Sequence, residues 1–317
     1  MANTNYIRKV AVVGAGGNVG RFITQALLKT GQHIVTAITR ADSQSSLPEG
    51  VIPKRVDYEK PETLVEALKG QDALVITVSG RSPIQSIEEK LVRAAGEAGV
   101  PWILPNEWSP DSANQGLIDD VFLFGMKVAT RKLIEDLRKS SYVAVATGFW
   151  YEYSLGIANN YGFDFAKRAV KFYDDGSTKI STSTWPQVGR AVAALISLPV
   201  HSDIEPCLER YKNQLVYINS FTVSQQDMLE SALRVTSTKE TDWTVTKEDS
   251  RQLYEQGIKE MKEGKFGGAN FLYSRVFFPN GGGDFESTKG TLNRVLGLLK
   301  ENLDEATKRA IERQVQA

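Results

Sequence analysis

A cluster of glycines follows the first apolar segment of the chain at a spacing that suits phosphate binding. The segment Val10–Val13 is short, apolar and β-branched, as is typical of a buried parallel strand, and from Val19 onward apolar residues recur at helical spacing. Glycines between a strand and a helix let the backbone approach a ligand closely, and the helix N-terminus directs N–H groups at a pyrophosphate. A tight turn without a ligand is the alternative, since the pattern only partly overlaps the GxGxxG fingerprint. The residues that we expect to bind a dinucleotide here are Gly14, Gly16, Gly17, Asn18, Val19 and Gly20.

The type of dinucleotide is indicated by Arg40. This residue lies 20 positions after Gly20, at the tip of the second predicted strand, residues 33–38. A site for NAD(H) usually carries Asp or Glu here to bind the ribose 2′-hydroxyl, whereas an arginine can pair with a 2′-phosphate. We therefore predict NADP(H), with Lys54 as a weaker candidate for a further phosphate contact. A solvated loop cation is the alternative interpretation of Arg40.

The composition narrows the chemistry and the partners. With 38 basic and 38 acidic side chains the 317-residue chain has no basic excess, so we expect no nucleic-acid partner. No window is apolar enough for a membrane span or a signal peptide, and the single cysteine, Cys207, excludes internal disulfides, so we expect a cytoplasmic protein. Two histidines are too few for most zinc sites, and we predict no metal. Acid–base chemistry is therefore expected from Lys, Tyr, Asp or Glu.

The first half of the chain alternates short apolar strands with amphipathic helices, which predicts an α/β fold with a doubly wound parallel sheet of the Rossmann type. Ligands of such sheets bind at the carboxyl ends of the strands. Further cofactor contacts are therefore expected after the fourth and fifth strands, at Ser79, Gly80, Pro105 and Asn106.

The alternation weakens after Gly156, which suggests a smaller second unit. We assign residues 1–155 to an NADP-binding domain, with elements near 180–200 and 214–222 joining its sheet, and residues 156–317 to an interleaved substrate-binding cap. The turn at 174–177 predicts a hairpin between its flanking strands. The glycine- and aromatic-rich segment 264–283 is interpreted as a lid, an interface or a packed connector.

Several motifs in order resemble one family. They are GAGGNVG, the TR at the second strand tip, VDYEKPETLVEALKGQDALVITVSG, PWILPNEWSPD, FGMKVATRKLIEDL and KFYDDGSTKISTSTWPQVGRAVAAL. Over residues 8–200 the chain resembles the NmrA-like and isoflavone-reductase-like group of atypical short-chain dehydrogenase/reductases, in particular its fungal members of secondary metabolism. It departs from their pattern at Gly16, where Thr or Ser is common, and at Asn106 and Trp108-Ser109, where the family has Ser and Phe-Gly.

The catalytic residue implied by this resemblance is Lys127, which matches a lysine that acts as acid or base toward a substrate phenol or enolate. None of the eleven tyrosines is followed by lysine four residues later, so the usual Tyr-x-x-x-Lys pair of short-chain dehydrogenases is absent. Desolvation beside a cofactor would bring a lysine pKa toward neutrality. Two alternatives remain. Lys127 could be a solvated helix cation, or the residue could be Lys132, which we expect on an exposed, charge-paired face with Glu135 and Asp136.

Aromatic residues near the ends of the fifth and sixth strands suggest a pocket for a planar substrate. The candidates are Trp108, Phe149, Trp150 and Tyr151, with plain core packing as the alternative. Tyr151 is also a second candidate proton donor, and Glu107 either orients a substrate or caps the next turn.

Together these features predict an NADPH-dependent reductase of a small, aromatic or phenolic metabolite. Two alternatives stay open. One is a redox sensor that binds the dinucleotide and contacts a protein without turnover, and the other is a redox-neutral isomerase or cyclase. The sequence determines neither the substrate nor the oligomeric state.

Overall fold

The computed structural model describes residues 5–80, 82–265, 270–280 and 282–316. The strands are β1 (Lys9–Val13), β2 (Ile34–Arg40), β3 (Ile52–Val56), β4 (Ala73–Ile76), β5 (Trp102–Leu104), β6 (Ser141–Ala146), β7 (Phe149–Trp150), β8 (Phe163–Asp164), β9 (Ala169–Tyr173), β10 (Ile180–Ser183), β11 (Gln214–Tyr217), β12 (Phe221–Val223) and β13 (Thr244–Glu248). The helices are α1 (Asn18–Lys29), α2 (Pro61–Leu68), α3 (Ile84–Ala98), α4 (Gln115–Asp120), α5 (Phe122–Leu137), α6 (Tyr151–Leu155), α7 (Trp185–Ile196), α8 (Gln225–Thr236), α9 (Ser250–Lys262), α10 (Asn270–Val276), α11 (Phe285–Lys289) and α12 (Leu303–Gln316). None of the helices in these ranges is long and apolar enough to cross a membrane.

The main sheet has the order β11-β6-β5-β4-β1-β2-β3 within the described residues, and its strands pair in parallel. The predicted doubly wound α/β fold is confirmed. The chain leaves β1 in one direction toward β2 and later returns on its other side at β4, so the topological switch lies beside β1. Open sheets of this kind bind ligands at that position, outside the carboxyl ends of the strands.

The main sheet is buried on both faces because helices cover each side. Val12 and Val35 face one layer, where they pack with Ile23 of α1 and Val192 of α7. The alternate residues of the strands face the other layer. Leu74 of β4, for example, packs there with Leu64 of α2 and Leu91 of α3. These side chains are at most 1% exposed. Period-two burial on both faces explains why the strands are continuously apolar.

Two of the later segments follow the sequence prediction only in part. β11 does join the main sheet beside β6. Residues 180–183 do not, because β10 pairs with β7 and β12 in a separate small sheet, and 185–196 form α7. The boundary proposed at residue 155 stays a prediction.

The predicted hairpin around residues 174–177 is wrong, since β9 pairs with β8 and β13 and not with β10. The side chain of Gln225 takes a partner's place, because it accepts from the Tyr173 N–H at 2.7 Å and donates to the Lys171 carbonyl at 3.0 Å. The Asp174 carboxylate accepts from the N–H of Ser250 at 3.0 Å, which ties the end of β9 to α9. The turn itself forms, with the Gly176 N–H donating to the Tyr173 carbonyl at 3.0 Å, but the strands that flank it pair with other strands.

A second apolar core lies under the small sheets. It contains Tyr161, Phe163 and Phe277 and is closed by Ala306 and Ala310 of α12. The described part of segment 264–283 contributes buried aromatic side chains to it, so that part is a packed connector. Residues 266–269 and 281 of the segment lie outside the described residues.

Candidate active site

The glycine turn holds β1, β4 and α1 close together. Gly14 has a φ of +78°, and a Cβ there would stand 2.3 Å from the Thr77 carbonyl oxygen. A Cβ at Gly20 would stand 2.1 Å from the Gly14 carbonyl oxygen, so side chains are excluded at both positions. α1 starts after Gly17 with no side chain capping its first turn. The turn therefore leaves an uncapped helix end at the switch point, where a pyrophosphate would fit.

Three adjoining cavities follow the carboxyl ends of the strands from this turn. The outer cavity, about 250 Å³, lies between the glycine turn and Arg40. The central cavity, about 580 Å³, extends along the start of α1 and shares Gly17 and Ser79 with the outer one. The lysine pocket, about 140 Å³, contains Lys127 and shares Asn106 with the central cavity. A long ligand can therefore reach from Arg40 past the glycine turn toward Lys127.

The predicted cofactor residues are distributed over these cavities. Those lining the outer cavity are Gly14, Gly16, Gly17, Arg40 and Ser79, and those lining the central cavity are Gly17, Asn18, Val19, Gly20, Ser79, Gly80 and Asn106. Pro105 lines none of the three. Its carbonyl accepts from the Glu107 N–H at 2.7 Å and shapes the loop after β5. Lys54 also lies elsewhere, since its Nζ donates to the Ala67 carbonyl at 3.0 Å.

Arg40 projects into the outer cavity from the end of β2. Its side chain is 67% exposed and lies 3.6 Å (Nε to carboxylate oxygen) from Asp42, itself 79% exposed. Such an exposed pair contributes little energy, so the guanidinium can turn toward a ligand. Tyr58 lines the same cavity and was missed by sequence reasoning, although it follows β3 at a strand tip. Burial raises the pKa of Tyr58 to about 12.

Lys127 is half-buried on α5, and its Nζ donates to two carbonyls of the loop after β5. The distances are 2.7 Å to the Asn106 oxygen and 3.0 Å to the Glu107 oxygen. Burial lowers the pKa of Lys127, while the nearby carboxylates of Glu107 and Glu88 oppose this shift. An ammonium has three donors, so these two bonds leave one N–H for the pocket. Lys132, the alternative, is exposed and pairs with Asp136 at 3.0 Å, as predicted.

Glu107 lines none of the three cavities. Its side chain is 1% exposed, bonds to the Ser112 hydroxyl and pairs with Arg131 at 2.8 Å. The predicted substrate-orienting role therefore has no geometric support. Glu107 instead holds the loop whose carbonyls bind Lys127.

Glu88 is a residue of the lysine pocket that sequence reasoning missed. It is 2% exposed, and one carboxylate oxygen accepts from the Asn106 N–H at 2.8 Å. Burial raises the pKa of Glu88, and the bond from Asn106 opposes this. A signal was present, because Glu88 falls on the apolar face of α3, four residues after Ile84 and three before Leu91.

Glu88→Gln is expected to flatten the pH dependence of stability. A raised pKa means that the folded state holds the proton more tightly than the unfolded state, so this stabilisation is present at low pH and is lost as pH rises through the folded value. Each unit of pKa difference is worth about 1.4 kcal/mol. Denaturant unfolding between pH 4 and 8 measures this. Glu89→Gln is the matched control, since Glu89 is exposed and paired with Arg93, and parallel profiles for wild type and Glu88→Gln would contradict the expectation.

The predicted aromatic residues separate into two groups. Trp108 and Trp150 line the central cavity, and Phe149 lines the lysine pocket. Trp108 is fixed by a 2.7 Å bond from its Nε1 to the Ile76 carbonyl. Tyr151 requires a correction: it is fully buried in the second core, and its hydroxyl bonds to that of Thr307 at 2.8 Å. Tyr153, two residues later, lines the central cavity instead.

Tyr151→Phe is expected to lower the free energy of unfolding by about 1 kcal/mol, the usual contribution of one buried hydrogen bond, and to leave turnover unchanged. Burial raises the pKa of Tyr151, and Tyr151 lines none of the three cavities described above. Chemical denaturation and steady-state rates measured on the same preparation test both parts. A large loss of rate with unchanged stability would restore Tyr151 as a proton donor.

Within the described residues no group of three His, Cys, Asp or Glu side chains is placed to hold a metal. The site is thus a groove bordered by glycine backbone, one exposed arginine, aromatic rings and one desolvated lysine.

Comparisons with known proteins identify a similar curated protein and solved structures of the same fold. The oxidoreductase aprR of Aspergillus flavus is 32% identical over 304 residues, which cover 94% of this chain and 96% of that protein. A solved structure from work on pinoresinol-lariciresinol and phenylcoumaran benzylic ether reductases superposes with a TM-score of 0.76 at 20% identity, covering 96% of this chain and 99% of that one. The NADPH-dependent quinone oxidoreductase of Escherichia coli, solved with NADPH, gives a TM-score of 0.67 at 18% identity over 94% and 98%.

The model of the NmrA-like family matches residues 7–181, which include the glycine turn, Arg40, the loop after β5 and Lys127. This span is more than half of the chain, and the chain therefore belongs to the NmrA-like family, as its motifs predicted.

Proposed function

We propose that the protein is an NADPH-dependent reductase of a small aromatic or phenolic metabolite, with Lys127 as its acid–base residue. The observation that carries the proposal is the contact between the two halves of the site at Asn106. This residue lines the central cavity beside the glycine turn, and its carbonyl also binds the Nζ of Lys127. A proton donor thus stands next to a groove with the features of a dinucleotide site.

The residues that would hold NADPH follow from the cavities. The backbone of Gly14–Gly20 would bind the pyrophosphate, and Arg40 would pair with the 2′-phosphate beside Tyr58. The tight contacts at Gly14 and Gly20 pack the turn closely, and Gly17 and Asn18 are exposed at the start of α1. When bound, NADPH would supply a hydride to an electrophilic carbon of the substrate. The NADPH-bound quinone oxidoreductase, which has the same fold, supports this choice of cofactor.

Lys127 has the donor geometry for proton transfer. As an ammonium it donates two hydrogens to the carbonyls of Asn106 and Glu107 and has a third for an oxygen of the substrate. As a neutral amine it would keep both carbonyl bonds and turn its lone pair toward the pocket. Lowering of its pKa by burial reduces the cost of moving between the two forms.

The lysine pocket favours a planar apolar group. Beside Lys127 its lining is mainly apolar and aromatic, from Leu123, Phe124, Phe149 and Leu272. Such a lining binds an aromatic ring, while the lysine selects one that carries a phenol, carbonyl or enolate oxygen. Two names support this substrate class: the similar Aspergillus protein is called an oxidoreductase, and a structure of the same fold comes from work on pinoresinol-lariciresinol and phenylcoumaran benzylic ether reductases. The unpaired, buried Cys207 fits the reducing cytoplasm that the sequence predicts.

The test is to follow NADPH absorbance while the protein is offered a panel of phenolic, quinone and conjugated carbonyl compounds. Consumption of NADPH with any member supports the reductase. NADPH binding without consumption across the panel would overturn the reductase proposal in favour of the sensor. Conversion of a compound with NADPH unchanged would identify the isomerase or cyclase alternative.

A further inference from the structure

Arg313 brings a positive charge from the last helix to the central cavity. Its side chain lines this cavity together with Asn18 and Gly20 of α1 and with Trp150 and Tyr153. Among the described lining residues, Arg313 is the one that carries a formal charge. The sequence prediction did not include it, because it lies far along the chain from the glycine turn.

The guanidinium is held in place by packing. Its central carbon lies 4.8 Å from the ring centroid of Tyr153 and 5.4 Å from that of Trp185. The stem passes over Gly156, where a Cβ would stand 2.8 Å from the Arg313 Cδ. The next residue, Gln314, accepts from the Phe165 N–H at 2.7 Å, which anchors the end of α12. Contact with aromatic rings leaves N–H groups of an arginine available for a ligand.

No carboxylate of the described residues lies within 4.0 Å of the Arg313 guanidinium. The better buried arginines of the chain do have such partners: Arg131 pairs with Glu107 at 2.8 Å, and Arg275 pairs with Asp120 at 2.5 Å. Arg313 is half-buried, and a partly desolvated cation without a counter-charge is stabilised when an anion binds. The charge that is missing in the protein is therefore expected from a ligand.

We propose that Arg313 is an anion-binding residue of the central cavity and that it takes a phosphate or carboxylate group of a bound ligand. Two sources share this chemistry. One is the pyrophosphate of the dinucleotide, because the same cavity borders the start of α1; this source rests on the proposed function. The other is an acidic substituent on an aromatic substrate, because Trp108, Trp150 and Tyr153 line the cavity beside the guanidinium.

The test compares Arg313→Gln with Arg309→Gln. Arg309 lies one turn earlier on α12, is exposed, and does not line the cavity, so its loss removes the same charge from the same helix. Dissociation constants for NADPH and for inorganic pyrophosphate are measured by titration. In the NADPH-saturated protein, 4-hydroxycinnamate and its neutral amide are compared by the shift each causes in thermal unfolding. Circular dichroism establishes that each variant is folded, and Arg313→Lys is the fallback variant that keeps the charge.

About tenfold weaker NADPH and pyrophosphate binding in Arg313→Gln alone would identify the dinucleotide as the source. Unchanged NADPH binding, with loss of the carboxylate's effect but not that of the amide, would identify the substrate. If Arg313→Gln matches Arg309→Gln for all four ligands, the proposal is overturned. A wild-type protein that binds pyrophosphate through Arg313 but not NADPH would overturn the proposed function and leave the anion site in place.

Discussion

Lys127→Ala is expected to lower kcat by about 10²- to 10⁴-fold, the usual contribution of a positioned acid–base group, and to leave NADPH affinity within about twofold. The reason for the separation is geometric: Lys127 lines the lysine pocket, whereas the glycine turn and Arg40 line the other two cavities. Steady-state rates with a substrate found in the panel measure the first part, and NADPH titration measures the second.

Lys132→Ala is the matched control, because Lys132 lies on the same helix with an exposed, paired ammonium. Lys127 also donates to the Asn106 and Glu107 carbonyls, so Lys127→Arg, which keeps N–H donors for these carbonyls but cannot give up a proton, tests whether the loss of rate follows loss of the loop contacts. Full turnover by either Lys127 variant would remove the lysine from the chemistry.

The pH profile provides a second readout of Lys127. If the ammonium donates the proton, kcat falls as pH rises through the lysine pKa, which burial places below its ordinary value of 10.5. The residual activity of Lys127→Ala would lack this alkaline limb. A profile with the same limb in both proteins would assign the titration to another group.

Local sequence pattern was sufficient for the main sheet and the glycine turn. The strands around β1 are continuously apolar because helices cover both faces, and the turn requires glycine where a Cβ would meet backbone. The apolar pattern of a strand and the glycine pattern of the turn can each be recognised within a window of about a dozen residues. Lys127 was different, since only the family resemblance separated it from the other cations of α5.

The positions of residues that are set by tertiary packing could not be predicted from local sequence pattern. Trp150 ends β7 and Tyr151 begins α6, and this change of period turns Tyr151 into the second core and Tyr153 toward the central cavity. A continued strand alternation would have put Tyr151 and Tyr153 on the same face, and so would not have predicted that Tyr153 shares the central cavity with Trp150. Arg313 reaches the cavity because α12 docks on α6, a contact between elements about 150 residues apart. The prediction of a hairpin was wrong for the same reason, because a distant residue, Gln225, forms hydrogen bonds with the backbone of β9.

Arg40→Ala is expected to weaken NADPH binding by about 10- to 100-fold and to leave NADH binding unchanged, which removes most of the preference for NADPH. One or two charge-assisted bonds to a phosphate have this strength. Arg40 is available for them because its contact with Asp42 is long and solvent-exposed. Arg55 supports the position by donating to the carbonyl of Ala41 at 2.8 Å, which holds the loop after β2. Titration with NADPH and NADH in low and high salt measures the effect. The preference of the wild type for NADPH over NADH should decrease as salt is added, whereas that of Arg40→Ala should not change.

Lys54→Ala is the control for Arg40→Ala, since it removes a cation from the neighbouring strand β3. The Nζ of Lys54 donates to the Ala67 carbonyl, and Lys54 does not line the outer cavity. Asp42→Ala gives the opposite test: it removes the competing carboxylate, so NADPH binding should strengthen slightly while NADH binding stays the same. If Arg40→Ala kept its preference for NADPH, discrimination would have to come from Tyr58 or from the serines that line the same cavity. The 2′-phosphate would then lie away from the Arg40 guanidinium, and the assignment of Arg40 as the residue that binds it would be wrong.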